Sequence, residues 1–93
     1  MSGQSPITRS LEIVNMKGLH ARASAKLVEV VEDHDADCTV RRDGMEASGD
    51  SIMGLLMLAA ACGTYIELET RGAEAEALAD AIAALVADKF GEG

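Results

Sequence analysis

From Ile7 onward the chain alternates: Ile7, Arg9, Leu11 and Ile13 fall on one side, Thr8, Ser10 and Glu12 on the other. A period of two with β-branched residues predicts a strand over about 7–14. Asn15-Met16-Lys17-Gly18 then reads as a turn. The period changes after it. Ala23, Leu27, Val30 and Val31 recur at i, i+4, i+7 and i+8, the stripe of an amphipathic helix running from near His20 to Asp33. Cys38 and Val40 alternate with Asp37, Thr39 and Arg41, which predicts a second strand. Asp43-Gly44 is a hairpin signal, because a type I′ turn needs positive φ at both central residues, and Met45 to Ser48 forms the return strand. Ser51 suits the N-cap of a second helix reaching about Ala60, with Gly63 beyond its end. Tyr65 to Glu69 alternates again as a fourth strand. Leu78, Ile82, Leu85, Val86 and Phe90 trace a last helix over about 74–89.

The order β-α-β-β-α-β-α in so short a chain predicts an α+β open-faced sandwich. Its four-stranded antiparallel sheet is covered on one face by three helices. A chain of 93 residues leaves room for one two-layer core, so a single domain over 1–93 is expected, with residues 1–6 as a disordered lead-in. Leu, Ile, Val and Phe make up 21 residues, enough to fold on aliphatic packing without tryptophan, and sixteen alanines favour helix.

The net charge of −8 narrows the function. Nucleic-acid binding needs a basic stripe, and anionic membrane surfaces attract basic segments; neither is present. The uncharged run from Ser51 up to Glu67 is too short and glycine-broken to span a bilayer, and residues 1–6 lack the basic start and apolar stretch of a signal peptide. A cytoplasmic protein is expected, with Cys38 and Cys62 as buried thiols outside any CxxC spacing. Glu29, Glu32, Asp33, Asp35 and Asp37 lack EF-hand spacing and read as a solvated helix end, with His34 an exposed loop residue among them. No metal or other cofactor is expected, and no GxxxxGK[ST] motif suggests ATP binding.

Two segments carry candidate chemistry. Lys17-Gly18-Leu19-His20-Ala21-Arg22-Ala23-Ser24 places a histidine where a glycine turn meets a helix start, with an arginine two residues on. The first helical turn leaves backbone N–H groups unpaired and carries about half a positive charge, a ready anion site. A neutral imidazole there has a free lone pair and is a nucleophile. A phosphoryl group landing on it would meet the backbone N–H groups of Ala21, Arg22 and Ala23, and the Arg22 guanidinium adds charge-assisted donors.

The second segment, Ser51 to Cys62, contains no charge. Leu55, Leu58, Ala59 and Cys62 fall at i, i+3, i+4 and i+7 as its buried stripe, leaving Ile52, Met53 and Leu56 outward. An apolar patch on an acidic protein marks a docking surface for partners, with a homodimer interface or a deeper core as the other readings, and methionines adapt to several partners.

Gly18-Leu19-His20-Ala21-Arg22 and Ser51-Ile52-Met53-Gly54 together resemble the two signatures of HPr, the histidine-containing phosphocarrier family of the bacterial phosphoenolpyruvate-dependent phosphotransferase system. The similarity covers essentially residues 7–89. It implies that His20 accepts a phosphoryl group on Nδ1 from enzyme I and passes it to enzyme IIA-type acceptors, with Arg22 stabilising the group in transit. It further implies that Ser51 is a regulatory site for an ATP-dependent HPr kinase/phosphorylase in bacteria that have one, and that Ile52, Met53 and Leu56 form the partner-binding face. Most members have proline directly after the arginine. Here Ala23-Ser24 follows, resembling nitrogen-related and proteobacterial regulatory members. Such a chain is a carrier rather than an independent turnover enzyme. Two other readings remain: an interaction module using the 52–56 patch and never phosphorylated on histidine, and a small acylphosphatase-type enzyme on a similar sandwich.

Overall fold

The computed structural model describes residues 5–92, so the expected lead-in falls largely outside the described residues; Ser5 and Pro6 are exposed and in no regular element. Strands form where the period of two is read: β1 (Ile7–Glu12), β2 (Asp37–Arg42), β3 (Met45–Ser48) and β4 (Tyr65–Arg71). Helices α1 (Ala21–Glu32), α2 (Ile52–Met57) and α3 (Ala75–Ala87) lie between and after them, and a single tight turn, Lys89–Gly91, follows α3. The sheet order is β1-β4-β2-β3 with every neighbour antiparallel, so the α+β architecture is as expected. Asp43 and Gly44 both take positive φ, 53° and 78°, as the tight hairpin between β2 and β3 demands.

Alternation puts Cys38, Val40, Ala47, Ile66, Leu68 and Thr70 on the face the helices cover. Leu27 and Val31 of α1, Leu55 of α2, and Leu78, Ile82 and Val86 of α3 close over them. The stripe of α1 runs through Ala23, Leu27, Val28 and Val31, with Val30 only half-buried, a rotation of a fraction of a turn from the expected one. On the opposite face Arg41 pairs with Glu46, Glu67 and Glu69, and Glu69 also takes Arg71. Hydrogen bonds from Arg41 and then Arg71 hold the Glu69 carboxyl below the usual carboxylate range.

Three expectations are corrected. α2 stops at Met57 rather than near Ala60, because Ala59 turns into the left-handed region at φ 51°. As a result Ala59 and Cys62 leave the buried stripe: Leu55 and Leu58 are buried, whereas Cys62 is an exposed thiol. Cys38 is buried as expected, and desolvation, with a smaller contribution from Asp50, pushes its thiol up to about 12. His34 is not a free loop residue. It is half-buried, and its Nδ1 donates to the Val30 carbonyl at 2.7 Å, satisfying one acceptor at the end of α1. Lastly, α3 ends at Ala87, and Phe90 reaches the core from the turn beyond it rather than from a helical stripe.

Among the described residues no helix is long and apolar enough to cross a membrane.

Candidate functional site

Gly18 organises the segment before α1. Its φ of +69° is one that L side chains avoid, and a Cβ there would stand 2.5 Å from the Ala60 carbonyl oxygen. The close approach lets Leu19 N–H donate to that same carbonyl at 2.9 Å, while His20 N–H folds back to the Gly18 carbonyl at 2.9 Å. The left-handed turn at Ala59 is the other half of the joint, since it aims the Ala60 carbonyl at the glycine turn. Alanine in that conformation costs about 1–2 kcal/mol. The Leu19 bond, and one from Arg42 Nη1 to the Leu58 carbonyl at 3.0 Å, offset it with about 1 kcal/mol or more each. Helix propensity over Leu58-Ala59-Ala60-Ala61 loses to this tertiary contact.

His20 is the N-cap of α1, with φ −78° and ψ −176°. Its carbonyl accepts the first bond of the helix, from Ser24 N–H at 2.8 Å. The side chain does not cap the helix. It is half-buried, and among the described residues the ring makes no hydrogen bond. The N–H groups of Ala21, Arg22 and Ala23 come before the first helical bond and meet no carbonyl of the described residues, as the first turn of a helix dictates.

His20 and Arg22 line the same cleft, of about 300 Å³, with Lys17, Lys26, Phe90, Gly91 and Glu92. Arg9, Arg41, Arg42 and Arg71 each have a carboxylate partner; Arg22 alone among the arginines has none among the described residues. In a chain of net charge −8, three of its eight basic side chains thus gather on this cleft. The electrostatics therefore favour an anion here, by charge as well as by helix dipole.

The sequence pattern gives Lys17 no role beyond its place in the turn, and assigns neither Lys26 nor the C-terminal residues to this cleft. Lys26 was within reach of the pattern, since i+4 from Arg22 places it on the same helix face. The Lys89–Gly91 turn had no local signal. Lys89, Phe90 and Gly91 all take positive φ, 58°, 54° and 72°, at a cost of about 1–2 kcal/mol for each of the two non-glycines. Burial of the Phe90 ring is worth about 2–3 kcal/mol, and Lys26 Nζ bonds the Phe90 carbonyl at 2.8 Å for roughly another 1–2. Strain and gain nearly balance, so the turn stays closed only while both holds are made.

On α2, which packs against α1, Ser51 is the N-cap, its Oγ accepting from Gly54 N–H at 3.0 Å. Ile52 and Met53 face solvent, 40% and 69% exposed, while Leu56 is half-buried against the cleft side, near Lys17, Leu19 and His20. Met57 and Met16 are also exposed, at 66% and 86%. Met16 was legible: the inward–outward alternation of Ile13, Val14 and Asn15 simply continues past the strand.

A protein-family model described as the PTS HPr component phosphorylation site matches residues 7–88. The chain belongs to the HPr family. A phosphocarrier protein HPr of Neisseria meningitidis is 49% identical over 88 residues, which cover 94% of this chain and 98% of that protein. A phosphocarrier protein NPr of Shewanella violacea is 43% identical over 86 residues, covering 92% and 94%. In structure, HPr-C-His from Thermoanaerobacter tengcongensis superimposes with a TM-score of 0.89 at 31% identity, covering 94% and 98%. Phosphocarriers of the phosphotransferase system, with both HPr and NPr names, are thus this chain's family, and proteins of that system its general class of partner.

Gly18→Ala tests the joint beneath the site. Strain and the contact with Ala60 should cost about 3 kcal/mol, lowering the thermal midpoint by about 10 °C or more. A midpoint within about 2 °C of wild type contradicts the close packing of Gly18 on the Ala60 carbonyl.

Proposed function

We propose that His20 is the phosphoacceptor of a cytoplasmic phosphocarrier, loaded from the phosphohistidine of enzyme I and discharged to enzyme IIA-type proteins. The observation that carries this reading is the half-exposed His20 ring at a helix start whose first three N–H groups, like the neighbouring Arg22 guanidinium, have no partner among the described residues. The ring's Nδ1 lone pair attacks phosphorus. An N–P bond forms on His20 while the donor's N–P bond breaks, its electron pair returning to the donor ring. The proton on the other nitrogen of His20 stays in place. Discharge is the same step in reverse toward the next acceptor.

In-line transfer of this kind asks mainly for positioning and charge stabilisation. The equatorial oxygens of the group face the N–H groups of Ala21, Arg22 and Ala23, with the guanidinium closing one side and Lys17 and Lys26 adding positive field. Neither lysine needs to touch the group to act at this range. Ile52, Met53 and Leu56, extended by Met57, supply the apolar docking face, so partners bury apolar surface next to the nucleophile and exclude water from it. The entire 1–93 chain acts as one domain in this role.

Incubation with enzyme I and phosphoenolpyruvate, followed by mass spectrometry, tests the acceptor. The wild-type chain should gain one phosphoryl group that is lost in acid and kept in base, and His20→Ala should gain none. A phosphoryl mass retained in His20→Ala overturns the assignment.

Ser51 serves as a regulatory phosphorylation site in this reading. Its hydroxyl already caps α2, and a phosphate there changes the fold little but places negative charge beside Ile52 and Met53, repelling acidic partners. Ser51→Asp should slow phosphoryl transfer from enzyme I by about tenfold, an effect of the size expected for one charge at a docking rim. Equal rates for Ser51→Asp and wild type remove the regulatory role.

A further inference from the structure

A line of hydrogen bonds joins the C-terminal segment to the backbone of His20. The Glu92 carboxylate accepts from Asn15 Nδ2 at 2.8 Å. The other hydrogen of that nitrogen goes to the Gly18 carbonyl, also at 2.8 Å. The same carbonyl accepts His20 N–H at 2.9 Å. Asn15 is fully buried, and its Oδ1 has no partner among the described residues. An amide with one end unsatisfied is a poor choice for packing alone, since an apolar residue of similar size avoids the desolvation cost. Both of its hydrogens, however, are spent on the turn that carries His20.

Glu92 stands on the rim of a cleft whose electrostatics favour an incoming anion. A carboxylate there opposes a phosphoryl group unless it serves another purpose. Its bond to Asn15 supplies one: a charged acceptor shortens and strengthens the bond it receives and polarises the donors behind it in the line. Two separate holds bring Glu92 to this place, the buried Phe90 ring and the Lys26 bond to the Phe90 carbonyl. Three consecutive left-handed residues turn the chain so that both are made.

We infer that Glu92 and Asn15 are positioning residues for phosphoryl transfer: through the Gly18 carbonyl they fix the His20 backbone, and with it the ring and the N–H groups that follow. This rests on His20 as the phosphoacceptor. Glu92 does not touch the transferred group; it acts through Asn15.

The test compares wild type, Glu92→Ala and Glu92→Gln as acceptors from enzyme I and phosphoenolpyruvate, with the chain's concentration varied. Glu92→Ala should lower the maximal transfer rate about tenfold, the worth of one hydrogen bond to a charged group. The half-saturating concentration should stay within about twofold, because the docking face of Ile52, Met53 and Met57 is untouched. Glu92→Gln keeps an acceptor oxygen and should recover most of the rate. In parallel, amide hydrogen exchange at His20 should quicken in Glu92→Ala and return toward wild type in Glu92→Gln. If Glu92→Ala transfers and exchanges like wild type, or loses only half-saturation, the latch is overturned while the phosphoacceptor reading stands. If the wild-type chain accepts no phosphoryl group on His20, that reading fails, and the latch as a transfer device fails with it.

Discussion

Three backbone N–H groups at the start of α1 have no carbonyl to meet among the described residues, and the rest of the molecule determines where they point. A helix start in isolation frays, and its dipole is spread into water. Here the turn before it is held against the end of α2 by a contact only glycine permits, Gly18 against the Ala60 carbonyl. The Leu19 bond to the same carbonyl makes the two segments one rigid corner. The buried stripe of α1 fixes the rotation of the helix on the sheet, and so the direction in which its first turn opens. That single corner holds the His20 ring, the N–H groups of the first turn of α1 and the start of the chain's return from α2 in one place, the arrangement the proposed phosphoryl transfer uses.

The charge distribution follows the same logic. An acidic protein does not attract phosphate over its whole surface, which keeps the attraction local. Four arginines are neutralised by carboxylates, Arg41 and Arg71 on the open face of the sheet and Arg9 and Arg42 on the helix side, whereas Arg22 is left without one among the described residues beside Lys17 and Lys26. Among the described residues, three of the exposed apolar side chains, Ile52, Met53 and Met57, share the short helix α2, whereas Met45 and Tyr65 are exposed at a separate cleft beside Arg41 and Arg42.

Much of this was legible because it is written in local patterns. Period two marked each strand, Asp43-Gly44 marked the hairpin, and Ser51 marked the start of α2. That His20 and Arg22 sit where a glycine turn meets the start of α1 was readable as well. What failed to show was whatever depends on contacts between distant residues. The run Leu58-Ala59-Ala60-Ala61 has every propensity to stay helical, yet it breaks because the Ala60 carbonyl is needed by Leu19; Cys62 becomes exposed as a consequence. Phe90 fits the helical spacing of α3, yet it enters the core from a left-handed turn. Asn15 and Glu92 lie far apart in sequence and meet only once the sheet brings the end of the chain to the site. No period or spacing signals a meeting of that kind.

In the proposed transfer the N–H groups of Ala21, Arg22 and Ala23, unbonded among the described residues, receive the phosphoryl oxygens on His20. Amide resonances of the 15N-labelled chain before and after loading by enzyme I and phosphoenolpyruvate measure this directly. Those three amides should move downfield and exchange more slowly in the loaded form, with little change in the sheet. A phosphorylated His20 whose neighbouring amides neither shift nor gain protection contradicts it.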